Sequence, residues 1–200
     1  MEDKRPGLAS DFEPSFREIM AAVKRPGVLW NVPIHLFILI PATAVIAWLA
    51  TRLDRFFGLE PFLSAPWNFV LFALFFPTGI FVVWYVYGYL AIKGEGSPAT
   101  HLGGTLKLVT TGPFARCRHP SIIGKFLGVV GFGFLVASPI FMFVIIPILT
   151  TYSFISVRYW QERLCVKLWG DYYLAYRRQV PSVIPRLSLR VKPVQFDKPA

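Results

Sequence analysis

Long apolar runs alternate with short polar ones along this chain, on a scale longer than the elements of a soluble domain. Two runs, Trp30 to Ala50 and Trp67 to Ile92, reach the roughly 20 residues a helix needs to cross a hydrocarbon core of about 30 Å. Two more, Ile122 to Ala137 and Ile140 to Val157, are separated only by Ser138-Pro139. That pair is a helix breaker with no charged residue beside it, so these runs predict a tight helical hairpin. Its first arm is short for a full span. Pro33, Pro41, Pro77 and Pro147 fall inside runs and are expected to kink them, which neighbouring helices tolerate. Ahead of the first run, Phe12, Phe16, Ile19, Met20 and Val23 recur at helical spacing, and Ser15 with Glu18 has the form of a capping box. A short interfacial helix is expected there. The pattern predicts an all-α integral membrane protein with about four transmembrane helices. Four regions follow: residues 1–29 as an N-terminal segment with the interfacial helix, 30–92 as the first two transmembrane helices, 93–186 as a core around the hairpin, and 187–200 as a basic tail.

Composition agrees. Hydrophobic residues make up 54% and charged residues 16% of the 200 positions, against about 25% charged in soluble proteins. The 19 Phe, 8 Tyr and 6 Trp suit a lipid-facing surface with aromatic belts. A net charge of +10 could suggest nucleic acid, but its placement does not: the basic residues flank apolar runs, where anionic membrane lipids are the partners. Five lysines and arginines precede the first run, two lie between the first and second, four between the second and third, and nine follow the fourth. With four spans this divides 18 against two, which predicts that both termini and the second loop are cytoplasmic, in a bacterial inner membrane or its equivalent. The N-terminus mixes acids and bases without an early apolar core and does not read as a signal peptide. Cys117 and Cys165 fall on the expected cytoplasmic side, where no structural disulfide is expected.

Two segments are too rich in charge and aromatics to be generic membrane protein. One, Gly94 to Gly124, closes with Arg118-His119-Pro120. The residue before a proline is driven to extended geometry and proline suits a first helical turn. The third run is therefore expected to start at Pro120, with Arg118 and His119 at an N-terminus that attracts anions. Arg116 and Arg118 would serve equally to meet lipid headgroups. The other segment follows the fourth run. There Arg158, Glu162 and Cys165 share a helical face, and Glu162 is the only acid between Glu95 and Asp171. It is either a salt-bridge partner for Arg158 or a binding group that serves a ligand rather than folding. Trp169-Gly170-Asp171 reads as a helix stop, followed by a short helix bearing Tyr172, Tyr173 and Tyr176 that Pro181 ends. Aromatics with a carboxylate suit a cation such as a sulfonium; they also serve as plain interfacial anchors. Gly124 and Gly128 form a GxxxG spacing that permits close helix approach. His35 and His101 have no evident partner, Gly94-Glu95-Gly96 follows no strand, and no metal-ligand spacing or serine–histidine–acid arrangement is present.

The run Leu108-Val109-Thr110-Thr111-Gly112-Pro113-Phe114, then Arg118-His119-Pro120 and Gly124, resembles the signature of the isoprenylcysteine carboxyl methyltransferase and phospholipid methyltransferase families. Glu162 with Leu164, then Trp169-Gly170, Tyr173, Tyr176 and Val180-Pro181, resembles their closing element. The resemblance covers roughly residues 94–186. It implies a membrane methyltransferase that uses S-adenosylmethionine and acts on a lipid or hydrophobic small molecule. It further implies that Arg118, His119, Gly124, Glu162, Tyr173 and Tyr176 bind the cofactor, with Glu162 and Arg158 placed for catalysis and Arg158 orienting the substrate. Two positions depart from the pattern: Ile122 stands for a tyrosine, and Gln161-Glu162 for a pair of acids. The closing element also resembles sterol reductases of the related superfamily, which would replace the cofactor with NADPH. The third alternative is a non-catalytic membrane protein that kept the fold.

Overall fold

The computed structural model describes residues 8–9, 12–95 and 105–185, without the side chains of residues 31, 32, 35 and 36. His101, the His35 side chain and the 187–200 tail, all singled out above, lie outside the described residues. Apolar runs in which side chains cannot hydrogen-bond leave the backbone to pair with itself, and helix is the local way to do so. Accordingly the described residues form helices, with a lone backbone bridge between Leu8 and Leu108.

Among the described residues, three helices are long and apolar enough to cross a membrane: Phe37–Phe56, Trp67–Lys93 and Phe141–Gln179. A fourth apolar helix, Pro120–Val136, is shorter. The chain is an all-α, multi-pass integral membrane protein. The boundaries differ from the sequence expectation at two places. The first apolar run is helical from Asn31 through a π-helical turn, His35–Leu39, and on to Phe56, because nothing breaks it after Ala50. The fourth run does not stop at Val157. No glycine or proline lies between Pro147 and Gly170, so the helix continues through a π-helical turn, Val157–Gln161, directly into Glu162–Gln179. We label α1 Phe16–Ala22, α2 Pro26–Leu29, α3 Asn31–Ile34, α4 Ile40–Phe56, α5 Trp67–Lys93, α6 Pro113–Arg116, α7 Pro120–Val136, α8 Ile146–Ser156 and α9 Glu162–Gln179.

Two compact units interleave along the sequence. One comprises Met1–Trp30, Trp84–Ser121 and Val157–Ala200, and the other Asn31–Val83 and Ile122–Ser156. In the second unit, glycine lets α5 and α7 meet backbone to backbone. A Cβ on Gly124 would sit 2.8 Å from the Gly79 carbonyl oxygen and 2.8 Å from a Val83 methyl, and one on Gly131 would sit 2.6 Å from the Phe76 nitrogen. A Cβ on Gly128 would meet nothing within 4 Å. Gly124→Ala should therefore force the helices apart and cost about 1–3 kcal/mol, lowering the melting midpoint in detergent. Gly128→Ala, in the same GxxxG, should leave it unchanged. The hairpin turn is made by Ala137, with φ 53, and by the Ser138 hydroxyl, which accepts from the Phe141 N–H at 3.0 Å.

In the first unit, α1 begins at the expected capping box: Ser15 N–H donates to Glu18 Oε2 at 2.7 Å and Glu18 N–H to Ser15 Oγ at 3.4 Å. Ile19 is buried and its carbonyl lies where a Cβ on Gly88 would be, 2.5 Å away. The segment before α1 pairs with the loop leading to α6. Ala9 N–H donates to the Leu108 carbonyl at 3.1 Å. Glu13 accepts from the Gly112 N–H at 3.1 Å through one oxygen and from the Tyr89 hydroxyl at 2.9 Å through the other. Tyr89 is buried, and its hydroxyl also shares a hydrogen bond with Thr111 at 2.8 Å.

Candidate functional site

Gly112 turns the chain with φ 56, a value that glycine adopts at little cost, and Pro113 then opens α6. Cys117 is extended, and the extended geometry imposed ahead of Pro120 carries Arg118 and His119 alongside the end of α9. The Arg118 N–H donates to the Pro181 carbonyl and the His119 N–H to the Ser182 carbonyl, both at 2.9 Å. α7 starts at Pro120, as the sequence predicts. On the other side, α9 breaks at Gly170 (φ 51, ψ −128) and resumes until Val180 turns extended ahead of Pro181. This places the two charged segments within hydrogen-bonding distance inside one compact unit.

Glu162 is the centre of the arrangement. Its side chain is 2% exposed and bonds the Arg118 guanidinium through Nη2, itself 7% exposed. The Arg118 Nη1 donates to the carbonyls of Arg177 at 2.7 Å and Val180 at 2.8 Å. Arg158 Nη1 approaches Glu162 Oε2 at 3.2 Å, Arg177 Nε at 3.6 Å, and His119 Nε2 lies 3.9 Å from Oε1. The Ser182 hydroxyl donates to Oε1 at 3.4 Å. One carboxylate thus faces three guanidinium groups and an imidazole, an excess of positive charge around a buried acid. Arg158 and Arg177 keep 57% and 35% of their side chains exposed, so they form the solvent-facing side of the cluster.

Burial pushes the His119 imidazolium down to about 4, against the smaller opposing pull of the Glu162 carboxylate, so His119 is neutral at neutral pH. The unfolded chain binds this proton near pH 6.5 and the folded one does not until about pH 4, so stability falls as pH drops through that window. By pH 5 the loss should be about 2 kcal/mol. It is measurable as a lower melting midpoint at pH 5 than at pH 7, and His119→Asn should remove this part of the difference. Cys117 is buried and its thiol is pushed up to about 11; both cysteines are free, and Cys117 is no nucleophile.

Beside the cluster lie the aromatics of α9. Trp169, Tyr173 and Tyr176 are buried together with Leu108 and Val180. The rings of Trp169 and Tyr173 stack at 6.5 Å and those of Tyr173 and Tyr176 meet edge to face at 5.9 Å. The Tyr176 hydroxyl donates to the Phe114 carbonyl at 2.6 Å. Among the described residues, three buried polar atoms of this neighbourhood have no hydrogen-bond partner: Arg118 Nε, His119 Nε2 and the Tyr173 hydroxyl. Buried polar groups are nearly always paired, so these three stand out from the rest of the unit.

Of the residues singled out in the sequence, Arg118, His119, Arg158, Glu162, Tyr173 and Tyr176 come together in this one unit. Gly124 belongs to the other unit, where it packs against Gly79 and Val83. Arg118 is not a free anion receptor, since Glu162 and two carbonyls already occupy its terminal nitrogens. Glu162, expected to serve binding rather than folding, is part of the framework as well. The Gln161 side chain is exposed while Glu162 is buried, so the position that departs from the paired-acid pattern is the one facing out. Sequence reasoning missed Arg177 and Ser182. Arg177 reaches Glu162 from beyond the Gly170 break, where helical spacing gives no guide, and the double arginine Arg177-Arg178 was the one signal available.

The sequence profile of the phospholipid methyltransferase family matches residues 67–171, just over half of the 200 residues. Among curated proteins, the chain is 34% identical over 82 residues to protein-S-isoprenylcysteine O-methyltransferase of Mus musculus, covering 40% of this chain and 28% of that protein. It is 38% identical over 79 residues to the Schizosaccharomyces pombe protein of the same name, covering 39% and 33%. To the nickel-cobalt-cadmium resistance protein NccN of Alcaligenes xylosoxydans xylosoxydans it is 34% identical over 102 residues, covering 50% and 47%. The chain thus spans less than half the length of the curated relatives it matches. No solved structure matches it.

Proposed function

Because the chain belongs to the phospholipid methyltransferase family, we propose that it transfers a methyl group from S-adenosylmethionine to a lipid or hydrophobic small molecule at the membrane. The observation that carries this reading is the set of buried polar atoms without a partner, Arg118 Nε, His119 Nε2 and the Tyr173 hydroxyl, beside the Trp169–Tyr173–Tyr176 aromatic group. S-adenosylmethionine bears carboxylate, ammonium, hydroxyl and ring-nitrogen groups that pair with such atoms. It also bears a sulfonium, and aromatic faces with a nearby carboxylate suit a sulfonium. Arg118, His119, Glu162, Tyr173 and Tyr176 would hold it. When bound, the cofactor supplies an electrophilic methyl group.

The chain's own residues supply position and a dry surrounding. Glu162 and Arg118 lock the two segments together, so the donors keep their directions without reorganisation, and burial of both excludes water. His119 is neutral, and a group that protonates only near pH 4 is a poor proton acceptor. Glu162 is engaged by cations on both oxygens. Neither is suited to deprotonate an amine, which favours an acceptor that is already an anion. Arg158 and Arg177, on the exposed side, suit orientation of such an anionic group by charge. The relatives named for O-methylation of an isoprenylcysteine support a carboxylate carried on an apolar chain.

We place four spans in the membrane, counting α7, with both termini cytoplasmic; the support is the 18-to-two division of basic residues. The NADPH-dependent reductase and the non-catalytic reading have no support in the family match. The deciding experiment is binding of S-adenosylmethionine and of NADPH to detergent-purified protein, followed by transfer of a labelled methyl group to a membrane lipid extract. The expected result is S-adenosylmethionine binding and label recovered in an apolar product that mild base releases as methanol from an ester. Binding of NADPH alone would overturn the reading.

A further inference from the structure

In the second compact unit, a cavity opens where α4 and α7 end. Its walls come from the last turns of α4, the residues just after α4, and the hairpin turn after α7, including Thr51, Asp54, Arg55, Glu60, Ala137 and Ser138. The ends of spans lie at headgroup depth. The residues beside the cavity agree with that depth: Phe56 and Phe57 are 81% and 64% exposed, and Arg52 lies over the Trp48 ring at 5.0 Å, as in an interfacial aromatic belt.

The cavity's charges are mixed and incompletely used. Asp54 is 5% exposed and accepts from the Ile140 N–H at 3.1 Å through one oxygen. Arg55 and Glu60 are exposed and of opposite sign, and they line the same space, yet neither forms an ion pair among the described residues. Two opposite charges that share a cavity without touching leave room for a ligand carrying both signs. No aromatic ring lines the cavity, which disfavours a quaternary ammonium, since that group needs aromatic faces. Carboxylates favour an ammonium that can donate hydrogen bonds.

We infer that this cavity is a binding site for a phosphoethanolamine headgroup, with its phosphate at Arg55 and its ammonium at Glu60 and Asp54. A soluble phosphoethanolamine carries the same chemistry. The position at span ends, beside exposed apolar helix surface, selects the membrane phospholipid. The site uses none of the residues around Glu162 and stands or falls separately from methyl transfer.

The test uses delipidated full-length protein in nanodiscs of phosphatidylcholine, alone or mixed with phosphatidylethanolamine or phosphatidylglycerol of the same chains. Phosphatidylethanolamine should raise the melting midpoint by about 3 °C or more, and phosphatidylglycerol should not. Arg55→Gln and Glu60→Gln should each abolish the rise while melting like the wild type in phosphatidylcholine, where the variants' folding is checked. An equal rise with both added lipids, or an undiminished rise in both variants, overturns the site. A rise of the same size from soluble phosphoethanolamine in phosphatidylcholine discs overturns the assignment to a lipid.

Discussion

Glu162→Gln should lower stability in detergent by about 3 kcal/mol, because it strips the partner from a buried guanidinium. Arg118 is 7% exposed and would keep only its two carbonyl acceptors. His119 and the Ser182 hydroxyl would lose their nearest anion. A double-mutant cycle separates this account from a simple packing loss. Arg118→Met on its own takes the buried guanidinium from Glu162 Oε1 and leaves the carboxylate only the more exposed Arg158 and Arg177, whereas Arg118→Met together with Glu162→Gln leaves neither member of the buried pair charged. The double variant should therefore melt higher than the sum of the two losses predicts. Strict additivity, or a wild-type melting profile for Glu162→Gln, would rule out the buried pair as a structural tie. Arg158→Gln is the contrasting case: its pair with Glu162 is largely solvated and worth about 0–1 kcal/mol, so it should change substrate handling while leaving the melt in place.

Arg118→Lys should cost about 2–3 kcal/mol although the charge is kept. The arginine spreads three hydrogen bonds over two nitrogens, to the carbonyls of Arg177 and Val180 and to the Glu162 carboxylate. A lysine ammonium is a single point on a flexible stem and does not reproduce a planar fork. The Val180–Ser182 strip would lose its side-chain tie to the start of α7, with a loss of S-adenosylmethionine affinity of about tenfold or more. The same substitution at a residue that only anchors to headgroups would be nearly silent. A lysine variant with wild-type melting and binding would thus remove Arg118 from the site.

Much of this was legible in the sequence because its causes are local. Apolar runs named the helices, Ser15 and Glu18 named the start of α1, and Pro120 named the start of α7. Gly170 marked the break in α9. The two segments that hold Arg118 and Glu162 were marked by their charge and aromatics. What the sequence did not carry was competition for partners. Arg118 looked like a receptor for a ligand's anion because its own anion lies 44 residues away. Arg177 and Ser182 approach Glu162 from across a backbone break and an extended segment, so no periodicity connects them. Gly124 sits close to the signature residues in sequence, but on a helix its position is decided by which face meets α5.

The carboxylate of Glu13 has a consequence for what counts as a unit of this protein. The stretch recognisable by descent begins at residue 67, yet the Gly112 turn within it takes one of its hydrogen bonds from Glu13, and buried Tyr89 takes another. A fragment cut at the edge of the recognisable stretch would leave the Gly112 amide and one bond of the Tyr89 hydroxyl without their acceptor. That turn leads into Phe114, whose carbonyl receives Tyr176. Ancestry and autonomy therefore draw their borders in different places: the inherited signature is completed by a residue that no comparison of the signature alone would include.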